Sequence, residues 1–209
     1  FLDSELTYSM SKYIAASTGF DALSQAIESA WSINSSAQSK KYSYEAIRII
    51  RNNIVKSVNN KNTLSRNKMI KAAYLSGKAI NITKTTAPHA LSYKLASKLN
   101  LSHGHSVAIL LGYFFELNYQ SKKLSNKIKK NTMKKNMENI FLNFGVSSAK
   151  AAKEKWYKLM KDCGLEINFS KLNLYKKKDI IEIVNSINIE RLNNHPVVLS
   201  KKDLYKLFE

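Results

Sequence analysis

The 209 residues carry 34 Lys and Arg against 15 Asp and Glu, a formal net charge of +19, and 44% of them are hydrophobic. That balance excludes a disordered chain and gives enough apolar surface for one sizeable core, while the apolar runs break at Lys, Asn or Glu well short of membrane-spanning length. The charge is spread evenly (14 basic and 5 acidic residues over 1–100, 20 and 10 over 101–209) and Lys outnumbers Arg by 30 to 4, so nucleic acid is not the expected partner, whereas small anionic substrates are favoured by the positive field.

The chain opens on FLDSELTYS, whose acids do not suit a signal peptide, and on Phe rather than Met. It therefore reads as a piece of something longer. TGFDALSQAIESAWS predicts a first helix with Thr18 as N-cap and Asp21 in its first turn. In YEAIRIIRNNIVKSV, Ile47, Ile50, Ile54 and Val58 make one core-facing stripe at helical spacing. A third helix is expected from about Ser65 to Ile80. A fourth begins near Pro88, which suits a first helical turn, and carries His89 and Tyr93. SVAILLGYFFELN is apolar nearly all round and predicts a buried central helix. Beyond residue 120, Leu124, Ile128, Met133, Met137 and Phe144 continue a helical stripe through a basic stretch, whose lysines read as a solvated face. Three short helices follow, in AAKEKWYKLMKDCG, KKKDIIEIVNSIN and SKKDLYKLFE, separated by Gly164 and the Asn194-His195-Pro196 turn. The lone cysteine, Cys163, allows no internal disulfide and fits a cytoplasmic setting. With no linker and no repeat, residues 1–209 read as a single all-α domain.

Polar residues that interrupt the apolar faces are the candidate site. Asp21 and Gln25 are four apart and share a helix face, with Glu28 near the same stripe. His89 and Tyr93 are again four apart, and His103 follows just before Gly104 and the buried helix. A carboxylate and two imidazoles from three segments can close around a divalent ion and leave a position open for substrate. Spacing alone favours the plainer reading, Asp21 as a helix-start residue and the histidines as ordinary core or surface groups.

Three ordered stretches, TGFDALSQAIES, APHALSYKL and SHGHSVAIL, resemble the C-terminal helical domain of the iron-containing (group III) alcohol dehydrogenases, a fold shared with glycerol dehydrogenase and dehydroquinate synthase. The resemblance is firm from Thr18 to Leu117 and fainter to the closing ERLNNHPVVLSKKDL. It implies metal ligands at Asp21, His89 and His103. The fourth ligand position of the family, a histidine, is Gln25 here, either a weak amide ligand or no ligand at all. The ion that the resemblance implies is a divalent metal, Fe2+ or Zn2+ in the first instance. Tyr93 stands where many relatives have a histidine suited to proton relay, and His105 is an additional candidate at the pocket. The wording NITKTTAPHALSYKL is most similar to a branch that includes phosphonoacetaldehyde reductases, which makes Lys84, Thr85 and Thr86 candidate partners of an anionic substrate group.

What the resemblance implies is reduction of a small aldehyde, or oxidation of the alcohol, with NAD(H) or NADP(H). The cofactor would lie on an N-terminal α/β domain, yet no two glycines here lie within six residues of each other and no phosphate-cradling loop is present. The expected partners are the small-molecule substrate, that N-terminal nucleotide-binding domain and a second copy in a homodimer. Two other readings remain at this point: a dehydroquinate synthase-like lyase domain, and a basic helical module that binds RNA or an acidic partner without catalysis.

Overall fold

The computed structural model describes residues 2–60, 62–174, 176–187 and 192–208. Among the described residues the helices are α1 Lys12–Trp31, α2 Ala37–Asn59, α3 Thr63–Thr83, α4 Ala87–Leu99, α5 His103–Gln120, α6 Lys130–Phe144, α7 Ala149–Asp162, α8 Lys177–Asn185 and α9 Lys201–Tyr205, with 3-10 turns at Glu5–Thr7 and Lys206–Phe208. The described residues form no strand, only an isolated antiparallel bridge between Leu124 and Val197.

Helix α1 is the shared rod. It packs against α2, α3 and α5, and α5 packs in turn against α4 and α7. Small residues make this possible: Ala16, Ala26 and Ala30 are fully buried along α1 and let three neighbours approach. The α2 stripe is buried as expected, with Ile47, Ile50 and Ile54 at 0% exposure. Larger rings fill the space between α1, α5, α6 and α7. Trp156 stands edge-on to Phe20 at 5.2 Å and donates its Nε1–H to the Ala108 carbonyl at 2.8 Å, so its polar atom is satisfied in the core.

Two expectations are corrected. The first helix starts at Lys12, not Thr18. Ser11 is its N-cap, accepting from the Ile14 amide, and Thr18 turns its hydroxyl back to the Ile14 carbonyl at 2.8 Å inside the helix. The stripe after residue 120 is helical only from Lys130. Residues 121–129 pair with the closing segment instead: Val198 donates to the Lys123 carbonyl and Ser125 to the Pro196 carbonyl. A tertiary pairing here overrides helical periodicity. Glu190 and Arg191 of that closing segment lie outside the described residues.

The Asn194-His195-Pro196 turn clamps the end of α1. The Asn194 carbonyl accepts from the Ile33 amide, and its side-chain amide reaches the Thr85 carbonyl at 3.3 Å. His195 is buried between Trp31 and Phe114 and donates from Nε2 to Asn118 Oδ1 at 2.9 Å. Burial drives its pKa from 6.5 down to about 3. Between those values the unfolded chain binds a proton that the folded chain refuses, so stability falls on acidification, by up to about 1.4 kcal/mol per pH unit. We expect the urea midpoint to drop between pH 6.5 and pH 4.5, and to drop measurably less in His195→Gln. An identical drop in both proteins would assign the acid sensitivity elsewhere.

Candidate metal centre

Three elements deliver the cluster. Asp21 projects from the middle of α1. His89 occupies the third position of α4, after a turn set by Pro88. His103 is the first residue of α5, behind Ser102, whose hydroxyl caps that helix by accepting from the His105 amide. The three ligand atoms all lie within 4.8 Å of one another. Asp21 Oδ1 is 3.3 Å from His89 Nε2 and 3.7 Å from His103 Nε2.

Gly104 is what allows α5 to arrive there. A Cβ at this position would sit 2.1 Å from the Ser17 carbonyl oxygen and 2.9 Å from Asp21 Cβ. Only a residue without a side chain lets the first turn of α5 lie on the backbone of α1, which sets His103 beside Asp21.

Beneath the cluster lies Glu28, two turns along α1 and fully buried. Its Oε1 accepts the Thr86 amide at 2.9 Å and the Thr86 hydroxyl at 2.8 Å, and its Oε2 accepts from His89 Nδ1. The hydroxyl of Thr86 accepts in turn from Trp31 Nε1 at 2.9 Å. Thr86 is the N-cap of α4 but makes no side-chain cap of its own. Glu28 takes that place, a negative charge at the positive end of the helix. With Nδ1 occupied by Glu28, His89 presents Nε2 toward Asp21, the carboxylate–histidine support typical of metal ligands.

The electrostatics favour positive charge at this spot. Burial opposes protonation of His89, but Glu28 and Asp21 on either side outweigh it and raise its pKa to about 10. Two carboxylates around one imidazole make the potential here negative, and a bound cation would take the place of the proton on Nε2. The donor set fits a divalent ion. Asp21 Oδ1 and His89 Nε2 are buried and make no hydrogen bond. Bonds of about 2.0–2.1 Å at tetrahedral angles put ligand atoms roughly 3.3–3.4 Å apart, close to both separations from Asp21.

The other sequence candidates fall into three groups. Gln25 donates its amide nitrogen to Asp21 Oδ2 at 2.9 Å, the position of an orienting group rather than of a ligand. Tyr93 lies against His103, ring centroids 5.1 Å apart, and lines an open cleft of about 560 Å³ with Lys84, Thr85, Asn81 and Asn194. Lys84 adopts φ 58° and ψ 174°, a conformation that L residues avoid, and is held by bonds from its amide to the Ile80 carbonyl and from the Thr83 hydroxyl to its own carbonyl. Thr86 and His105 are corrected: both point inward. Thr86 is consumed by Glu28 and Trp31, as above. His105 is buried, with Nε2 on the Glu166 carbonyl at 2.7 Å and Nδ1 facing the Tyr13 hydroxyl at 3.4 Å, which ties α5 to the segment after α7. Glu28 itself was legible only as a residue near the Asp21 stripe; the seven-residue spacing was the available signal.

Fold and cluster define an all-α domain with a candidate metal centre. Over residues 15–209 the chain matches the Fe-containing alcohol dehydrogenase family, C-terminal, and it belongs to that family. It is 36% identical over 113 residues to the long-chain-alcohol dehydrogenase 1 of Geobacillus thermodenitrificans, covering 54% of this chain and 29% of that one. It is 33% identical over 107 residues to the phosphonoacetaldehyde reductase of Streptomyces viridochromogenes, covering 50% and 27%. Among solved structures, the sulfoacetaldehyde reductase of Bifidobacterium kashiwanohense in complex with NAD+ superposes with a TM-score of 0.85 at 27% identity, covering 99% of this chain and 52% of that one. The iron-containing alcohol dehydrogenase of Thermotoga maritima superposes at 0.82 and 27% identity, covering 100% and 52%. The chain thus spans about half the length of these solved relatives.

Two outcomes test this construction. Glu28→Gln leaves the shape of the support but weakens its hold on His89, and we expect a roughly 10- to 100-fold loss of Zn2+ affinity in a chelator competition titration; unchanged affinity would remove Glu28 from the support. Gly104→Ala forces α5 off α1, with an expected loss of about 1–3 kcal/mol in urea unfolding and a parallel drop in metal affinity. Destabilisation without any change in affinity would separate the helix contact from the placement of His103.

Proposed function

We propose that residues 1–209 act as one metal-binding, substrate-side domain of an NAD(P)-dependent alcohol dehydrogenase or aldehyde reductase, working with an N-terminal nucleotide-binding domain on the longer enzyme. Family membership supports the dehydrogenase class. The observation that carries the metal role is the convergence of two buried ligand atoms without hydrogen bonds, Asp21 Oδ1 and His89 Nε2, with His103 beside them. When bound, a divalent ion supplies Lewis-acid polarisation of a carbonyl. Asp21, His89 and His103 hold it, Gln25 orients Asp21, and Glu28 fixes the tautomer of His89.

The substrate we propose is a small aldehyde that carries a phosphonate or sulfonate group, reduced to its alcohol with hydride from NADH or NADPH. Two similar proteins bear the names phosphonoacetaldehyde reductase and sulfoacetaldehyde reductase. On this chain, Lys84 provides a cation and Thr85, Asn81 and Asn194 provide polar groups along the cleft that begins at Tyr93. That cleft is next to His103, so an anion anchored at Lys84 would leave the aldehyde end free to reach the metal. The Tyr93 hydroxyl is placed to hold or pass a proton at the mouth of the cleft.

Elemental analysis of the purified protein tests the metal role: wild type should carry near-stoichiometric divalent metal, and Asp21→Ala and His103→Ala should each lose most of it. Retention at wild-type stoichiometry in both variants would sink the assignment. For the substrate class, Lys84→Ala in the enzyme expressed from its complete coding sequence should raise KM for phosphonoacetaldehyde roughly 10-fold or more while leaving KM for propanal nearly unchanged. Equal effects on the two aldehydes would reject the anion anchor.

A further inference from the structure

His103 is the most exposed of the three candidate ligands. It is the first residue of α5, and its side chain is 39% exposed, against 23% for Asp21 and 4% for His89. Asp21 is braced by Gln25 and His89 by Glu28. An imidazole at a helix end also needs a brace, because its ring can otherwise turn and offer a metal either nitrogen.

The group that faces it is Ser92. This serine lies on α4, three residues beyond His89, and is fully buried. Its Oγ is 2.9 Å from the His89 carbonyl and 3.4 Å from His103 Nδ1. A hydroxyl has one proton to give, and a carbonyl can only accept. The Ser92 proton is therefore spent on the His89 carbonyl, and toward His103 the oxygen has only lone pairs to offer. That bond must run from His103 Nδ1–H to Ser92 Oγ. A neutral imidazole with its proton on Nδ1 keeps its lone pair on Nε2. Nε2 is the nitrogen that stands 3.7 Å from Asp21 Oδ1. The rings of His89 and Tyr93 lie on the same imidazole, at centroid distances of 5.3 and 5.1 Å, and limit its swing.

We propose that Ser92 is the positioning residue of His103, accepting its Nδ1–H so that the Nε2 lone pair faces the cluster. The proposal rests on the metal reading of Asp21, His89 and His103, and gives each of the three its own orienting side chain. The braces differ in strength. A carboxylate raises the basicity of the ring it holds, and a neutral hydroxyl at 3.4 Å does so less. His89 is thus the anchoring ligand. His103 is the weaker and more readily exchanged one, on the side where Tyr93 lines the cleft.

A double-variant cycle on Zn2+ affinity tests the role. Ser92→Ala should weaken binding about 10-fold, the lower end of what such supporting groups contribute. In a His103→Ala background the same change should have no further effect, because Ser92 acts only through His103. No loss in the wild-type background, or an equal loss in both, would overturn the proposal, the second by making Ser92 a structural residue of α4. Long-range 1H–15N correlation reads the tautomer without any metal. In the metal-free chain at pH 8, His103 should carry its proton on Nδ1, and Ser92→Ala should release the ring to a mixture of tautomers. A proton on Nε2 in the wild type, or an unchanged spectrum in the variant, would also overturn it. A chain that takes up no Zn2+ yet shows the Nδ1–H tautomer rejects the metal reading and upholds the hydrogen bond, so the two failures are distinct.

Discussion

The structure depends on how one buried carboxylate is satisfied. Glu28 is fully removed from water, and an ionised carboxylate there is tolerable only if donors meet it from several sides. They come from a single short stretch: the amide and hydroxyl of Thr86 and the imidazole of His89. This one set of bonds fastens the start of α4 to α1, caps α4 at its positive end, and aims His89 outward. Trp31 joins the same network through the Thr86 hydroxyl, so a large ring near the end of α1 is positioned by the atoms that support the candidate ligand His89. Folding energy and site geometry are therefore hard to separate here. A substitution that spares the fold but loosens Glu28 acts on the ligand before it acts on the helices.

Helix α1 presents a polar face and a small-residue face side by side. Asp21, Gln25 and Glu28 recur at four and three residues and look toward α4 and the first turn of α5. Thr18, Gly19 and Ala22 look toward α3. Small residues between these faces allow close approach, most severely where Gly104 meets Ser17.

Much of the fold was legible from helical stripes, because an all-α core leaves its 3.6-residue period in the sequence. Ile47, Ile50 and Ile54 announced α2, and the apolar run from Ser106 announced α5. Where a long-range pairing decides the local structure, the stripe misled. Leu124 and Ile128 keep the period, yet residues 121–129 pair with the Pro196–Val198 segment, which no local pattern reveals. The site was less legible from residues alone. Asp21, His89 and His103 lie on three helices, and nothing in their spacing says that the helices meet; the ordered resemblance to a family was needed to join them. Thr86 read as a pocket residue because a hydroxyl before a helix is an obvious ligand partner. Its hydrogen bonds to Glu28 and Trp31 depend on a contact fifty or more residues away in sequence. The role of Glu28, though it was seen near the Asp21 stripe, escaped for the same reason: a glutamate on an apolar stripe has no evident partner until α4 is docked.

The placement of Gln25 bears on which ion such a site would hold. Its amide nitrogen faces Asp21, so the candidate ligand set among the described residues is two imidazoles and one carboxylate. For nitrogen and oxygen donors, Fe2+ binds more weakly than Zn2+, and a set of three leaves less margin for the weaker ion. Of the ligand separations, the 3.3 Å between Asp21 Oδ1 and His89 Nε2 is the tetrahedral value, and His103 at 3.7 Å from Asp21 would have to close in by a few tenths of an ångström. Asp21 and His103 remain partly open to solvent while His89 and Glu28 are buried. The buried half of the cluster thus holds geometry, and the open half faces the cleft where Tyr93 and Lys84 stand. Gln25 thus braces Asp21 from within the helix while the solvent side of Asp21 and His103 is left open.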